Sequence, residues 1–162
     1  MDLYLIRHAE AQALGERGIT QDGDRPLTPA GEQQAAAVGK MFQRRGIQLD
    51  KLVASPYVRA QQTATILLRH LQPAPTLETT DALLPNAKPR KLSKFLRSLE
   101  GERFGLVGHL PHIGEWAGWL IGAKKVQLDL AKAGVAYIAC GELPGKGLGT
   151  LEWLVTPKWF EG

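Results

Sequence analysis

Arg7 and His8 are the residues around which the chemistry of this chain is read. They follow directly on Leu3-Tyr4-Leu5-Ile6, a short apolar run of the kind that forms a buried strand of a parallel sheet. A cation and a titratable nucleophile therefore fall at a strand's carboxyl end, where open α/β sheets place their ligand sites. Together they suggest phosphate chemistry. Met alone, the pair has a simpler reading, with His8 ending the strand and Arg7 solvated. Three further segments remove that reading. Asp24-Arg25-Pro26-Leu27-Thr28 leads into a helix, Ser55-Pro56-Tyr57-Val58-Arg59-Ala60-Gln61-Gln62-Thr63 starts another, and Gly108-His109-Leu110-Pro111 follows a later strand. Each offers a cation, a histidine or a helix N-terminus, and all three favour a phosphoryl group.

The elements that must position these residues alternate along the chain. Thr28-Pro29 is an N-cap followed by proline at the first helical position, and the helix it opens runs to about Arg45, ended by Gly46. Ala35, Val38, Met41 and Phe42 share one face of it. Leu52-Val53-Ala54 is a strand, and Ser55-Pro56 repeats the cap-and-proline signal before a helix reaching about Leu71. Residues 10–26 are polar, without apolar periodicity, and read as a loop over the sheet edge. The proline-rich stretch 72–90 reads as an irregular connection with a short strand at Thr76-Leu77-Glu78, followed by a helix over residues 91–99. Phe104-Gly105-Leu106-Val107-Gly108 is another buried strand, ending at His109, and residues 112–121 form a helix. Residues 135–139 and 150–155 flank a glycine-rich stretch and read as a hairpin. Alternating strand and helix predicts a three-layer α/β/α fold, its central sheet mostly parallel and the hairpin adding edge strands. The ends of the strands before His8, Ser55 and His109 then share one edge.

Composition narrows the class. A chain of 162 residues, 44% hydrophobic and 22% charged, suits one domain spanning residues 1–162. It has no apolar run of membrane-spanning length. No basic leader precedes the first strand and Cys140 is the sole cysteine, which together suggest the cytoplasm. The net charge of +4 suits an anionic substrate or an acidic protein partner. Basic pairs such as Arg44-Arg45 and Lys124-Lys125 are scattered, without interleaved aromatics, which argues against nucleic acid. No metal-ligand spacing of the His-x3-His or Cys-x2-Cys kind is present.

Arg-His after strand one, Ser-Pro-x-x-Arg-Ala-x-Gln-Thr at the second helix and a distal Gly-His resemble the histidine phosphatase superfamily, also called phosphoglycerate mutase-like. The agreement runs from residue 3 to about 120. The small size, Arg25-Pro26-Leu27-Thr28 and His109-Leu110-Pro111 are similar to its SixA branch, the phosphohistidine phosphatases. Ala9 departs from the glycine common there. The resemblance implies that His8 is the nucleophile that takes the phosphoryl group, that Arg7 and Arg59 bind its oxygens, and that His109 completes the pocket. Arg25 joins or flanks them, and no cofactor or metal is implied. Larger members place a glutamate acid in a long insertion after the third strand. Here that stretch is short, and it offers Glu78 and Asp81, with Asp81 at the place where the acid would stand.

Other readings of single residues are plainer. Ser55 has a hydroxyl suited to substrate, yet capping a helix explains it. His112 reads as a residue at a helix start, His70 as surface, Cys140 as a small buried hydrophobe, and Trp116 and Trp119 as core or rim. For the whole chain, the reading is a phosphatase of protein phosphohistidine that passes through phospho-His8. Its rivals are a small-molecule phosphomonoesterase or phosphoglycerate mutase-like enzyme, and a catalytically silent phosphoprotein-binding module.

Overall fold

The computed structural model describes residues 1–123, 126 and 128–160; Lys124 and Lys125, one of the basic pairs, lie outside them. Six strands form one sheet in the order β3-β2-β4-β1-β5-β6. They are β1 (Asp2–Arg7), β2 (Lys51–Ala54), β3 (Thr76–Thr79), β4 (Arg103–Gly108), β5 (Val135–Cys140) and β6 (Gly149–Val155). The first four run parallel, whereas β5 is antiparallel to β1, and β6 to β5. The hairpin thus closes one side of a parallel sheet, as its glycine-rich centre predicts.

Side chains along β1 alternate between two apolar layers, as the period of two in a strand requires. Tyr4 and Ile6 face α1 (Pro29–Arg44) and α2 (Val58–Leu68), packing with Val38, Phe42, Ala64 and Leu67. Leu3 and Leu5 face α3 (Pro89–Leu96) and α4 (His112–Leu120), packing with Leu92, Leu96, Trp116 and Leu120. Because both faces of the sheet's centre are covered, β1, β2 and β4 carry apolar runs that end abruptly at polar residues, whereas the edge strands β3 and β6 are mixed.

The register brings those ends together. Arg7 pairs with Gly108 across β1 and β4, and Ala54 pairs with Val107 across β2 and β4. His8, Ser55 and His109 are each the next residue, so one sheet edge carries all three. Two backbone bonds extend the ladder past the strands: His8 N–H donates to Gly108 O at 3.0 Å and Ser55 N–H to Val107 O at 3.0 Å.

Two local expectations shift. The second helix begins at Val58 with Tyr57 as its cap residue, not at Ser55-Pro56. Cys140, read as buried, is half-buried, because β5 ends at the surface.

Candidate active site

The N-terminus of α1 is pinned beside the loop that follows His8. Thr28 Oγ1 accepts from Gly31 N–H and donates to Glu10 Oε1, at 3.0 and 2.8 Å. Gly31 is required here, because a Cβ would collide with the Glu10 carbonyl. The polar residues of the α2 motif serve the backbone in the same way. Thr63 Oγ1 accepts from Ala9 N–H at 3.1 Å and donates to the Arg59 carbonyl at 2.7 Å. Gln62 Oε1 accepts from Leu27 N–H, and Gln61 Nε2 donates to Ser55 O, both at 2.7 Å. The motif therefore couples the loops after β1 and β2 to one helix, and Arg59 projects from its first turn.

His8 is 8% exposed. Its Nδ1 lies 2.7 Å from the Ala9 carbonyl; a carbonyl only accepts, so Nδ1 carries the proton and Nε2 keeps its lone pair. Arg59 Nε is 3.2 Å from that Nε2. Burial pushes the His8 pKa down to about 4; the bond to the Ala9 carbonyl opposes it, and the guanidiniums of Arg59, Arg7 and Arg25 each add a lesser downward push. The imidazole is neutral at pH 7, as a nitrogen nucleophile must be.

His109 stands beside it, the ring centroids 5.0 Å apart. Its Nε2 is 2.8 Å from Ser55 Oγ, and burial, together with His8 and Arg59, lowers its pKa to about 2. Tyr57 meets His109 edge-on at 5.1 Å, and Arg59 lies over the Tyr57 ring at 4.9 Å. Arg7 donates from Nη1 to the Leu130 carbonyl at 2.7 Å. Among the described residues, the buried side-chain nitrogens without a partner are Arg7 Nε, His109 Nδ1 and both ring nitrogens of His112. Buried polar atoms are normally satisfied; these belong to two residues of the cluster and to His112, three positions after His109.

Arg7, His8, Arg59, His109 and Ser55 therefore come together. Arg25 flanks them: its Nε donates to Gln12 O at 2.6 Å and its Nη1 to Asp22 Oδ1 at 2.8 Å, and its charge is felt at His8. Asp81 does not join the cluster through any hydrogen bond or ion pair among the described residues. It is exposed and opens a 3-10 turn, Asp81–Leu83, beyond β3. Glu78 is held by Lys51 at 2.7 Å along β3. His112 is the first residue of α4, as its helix-start reading expects, and is 1% exposed. Two contributors carry no role in the sequence analysis: Tyr57, which stands there only as a position of the second-helix motif, and Asp22, which binds both Arg25 and Arg59 and sits in the polar loop. The i,i+3 spacing Asp22-x-x-Arg25 is the signal in the sequence that could have found it. Among the described residues, no group of three or more His, Cys, Asp or Glu is placed to hold a metal ion.

The fold is shared with known proteins. The structure of the protein histidine phosphatase SixA complexed with tungstate superposes with a TM-score of 0.85, covering 98% of both chains at 22% identity. An uncharacterised protein of Picosynechococcus sp. is 34% identical across 99% of each chain. "Probable phosphoglycerate mutase GpmB" of Salmonella paratyphi A is 30% identical over 89% of this chain, but the match spans only 65% of that longer relative. The model of the histidine phosphatase superfamily (branch 1) matches residues 3–84. With just over half of its length under that model and a full-length relative at this identity, the chain belongs to the histidine phosphatase superfamily.

Proposed function

We propose that the protein hydrolyses phosphohistidine on a partner protein, through a phosphoryl group carried transiently on His8 Nε2. In the first step the Nε2 lone pair attacks phosphorus, and the P–N bond to the substrate imidazole breaks. The substrate ring, protonated by solvent on its other nitrogen before the bond breaks, takes the P–N electron pair and leaves as neutral imidazole. Water then attacks phosphorus, the P–N bond to His8 breaks, and inorganic phosphate departs. Arg59 Nε and the unpartnered Arg7 Nε supply the donors that a phosphoryl group needs, and their fixed charge stabilises its three oxygens. We assign no metal or organic cofactor a part in these steps.

One observation carries the choice of substrate: among the described residues, no carboxylate makes a hydrogen bond or ion pair to His8, and Asp129, 4.0 Å from Arg7 Nη1, is 89% exposed. Asp22 is held ionised by two arginines, Glu78 is paired with Lys51, and Asp81 is exposed, with no hydrogen bond or ion pair to the cluster among the described residues. An alkoxide leaving group needs a placed acid, whereas a protonated imidazole leaves without one. SixA, a protein of this fold, is a protein histidine phosphatase, in keeping with this reading. The short connection between α2 and α3 leaves a histidine on a folded partner able to reach the site, and the net charge of +4 favours an acidic partner. A cytoplasmic setting, with a phosphohistidine-bearing phosphotransfer protein as partner, completes the proposal.

The test compares kcat/KM for a phosphohistidine-bearing protein with that for 3-phosphoglycerate and an aryl phosphate. The phosphoprotein is expected to be the best substrate. A small ester favoured by about tenfold, some 1.4 kcal/mol in transition-state binding, would replace this reading with the phosphomonoesterase one, which the likeness to a phosphoglycerate mutase keeps as the rival.

A further inference from the structure

Asp22 lies between the motif segments quoted above, yet this one residue engages two guanidiniums. Arg59 donates from Nη1 to the Asp22 carbonyl at 2.6 Å and from Nη2 to Asp22 Oδ2 at 3.0 Å. The other carboxylate oxygen, Oδ1, accepts from Arg25 Nη1 at 2.8 Å. The 3-10 turn Asp22–Asp24 that presents it lies against the site by shape as well. A Cβ on Gly23 would press on the Tyr57 ring at 3.3 Å, and Tyr57 in turn touches His109 and Arg59.

Fold stability does not account for this arrangement. The Asp22 side chain is 47% exposed, and its bond to the partly exposed Arg25 stabilises a fold by about 1 kcal/mol at most, while Arg59, 4% exposed, keeps the Asp22 backbone carbonyl as a partner whatever the side chain. Nor is Asp22 a proton donor, since its hydrogen bonds from Arg25 and Arg59 outweigh burial and hold its carboxyl below the usual range. What the contacts do determine is the rotation of Arg59. With Nη1 and Nη2 both occupied, the plane of the guanidinium is set, and Nε is the donor left facing His8 Nε2 at 3.2 Å.

We propose that Asp22 is a positioning residue that locks Arg59 with Nε aimed at the phosphoryl group on His8, while its negative charge weakens the site's hold on phosphate. The inference rests on the phosphoryl-transfer reading above and deepens it, by separating geometry from charge. Geometry raises turnover, because a donor misplaced by an ångström loses much of its effect. Charge lowers affinity for the anionic product, which eases its release.

The two consequences are measured on the same variants. Turnover is followed with phosphoramidate, a small compound with a P–N bond, and affinity with inorganic phosphate by titration calorimetry, which needs no catalysis. For Asp22→Ala, kcat is expected to fall about tenfold or more, while phosphate binds about three- to tenfold more tightly. Asp22→Asn keeps an oxygen acceptor for Arg59 and the backbone carbonyl but loses the charge. It should bind phosphate as tightly as Asp22→Ala while recovering most of the lost turnover. A Tm close to wild type in both variants accompanies this result. Unchanged kcat, unchanged phosphate affinity, or a joint loss of kcat, affinity and Tm would each overturn the proposal. The substrate reading fails by a different sign: a phosphohistidine protein no better than an ester, with the phosphate titrations unaffected.

Discussion

Arg59 and His8 meet through single nitrogens, Nε and Nε2, 3.2 Å apart. That contact joins the first turn of α2 to the end of β1 and leaves the nucleophilic lone pair facing a cation. Its consequence for charge is direct: a protonated His8 would place two donors against each other, so the pair holds together only with a neutral imidazole.

Removing the guanidinium should be far more damaging here than elsewhere. Arg59→Ala is expected to lower kcat/KM for the phosphoprotein by about a hundredfold or more, the scale for one oxyanion donor. Arg44, exposed and bonded to the Phe160 carbonyl at 2.9 Å, serves as the control, and Arg44→Ala should stay within about twofold. Equal losses would remove Arg59 from phosphate binding.

The histidine pKa values give a signed prediction. His8 and His109 are pushed down to about 4 and about 2, both chiefly by burial, whereas an unfolded histidine titrates at about 6.5. Below that value the unfolded chain takes protons that the native site refuses. Stability therefore falls as pH drops below about 6.5, by up to about 1.4 kcal/mol per unit for each ring, and is indifferent to these rings above it. Ring-proton NMR titration should show His8 and His109 still neutral at about pH 5.5, within the window set by that unfolded reference. A midpoint near 6.5 for either ring would contradict it.

Ser55 supports His109. Ser55→Ala deletes the 2.8 Å partner of the buried Nε2, leaving a desolvated ring nitrogen unsatisfied. The expected cost is about 1–3 kcal/mol of stability, read from denaturant unfolding, with a loss of kcat greater than any change in KM. A neutral effect on both would return Ser55 to a purely local role.

If guanidiniums supply the positive charge, exhaustive chelation leaves turnover unchanged. Activity lost on chelation and restored by a divalent ion would place a metal in the reaction.

The parts of the site that were legible in the sequence are those tied to periodic elements. Apolar strands that stop at Arg7, Ala54 and Gly108 announce their own ends, and parallel pairing then forces His8, Ser55 and His109 to one edge. Arg59 was legible because it stands in a helix-opening motif. Asp22 was not, since its i,i+3 pairing with Arg25 lies in an aperiodic loop and Arg59 meets it only through tertiary packing. Ser55 was misread in part: Ser-Pro is a helix-start signal, but the chain delays the helix to Val58 and spends the hydroxyl on His109. The acid expected at Glu78 or Asp81 rested on likeness to larger relatives, and Lys51 claims the first of these while the second stands in the solvent.

The most direct test of the account is to trap the phosphoenzyme. Protein quenched during turnover of labelled phosphohistidine substrate should retain label in alkali and lose it in acid, the signature of a phosphoramidate, and the label should map to His8. His8→Ala should carry no label and show no turnover. Acid-stable label, or activity retained by His8→Ala, would contradict the account.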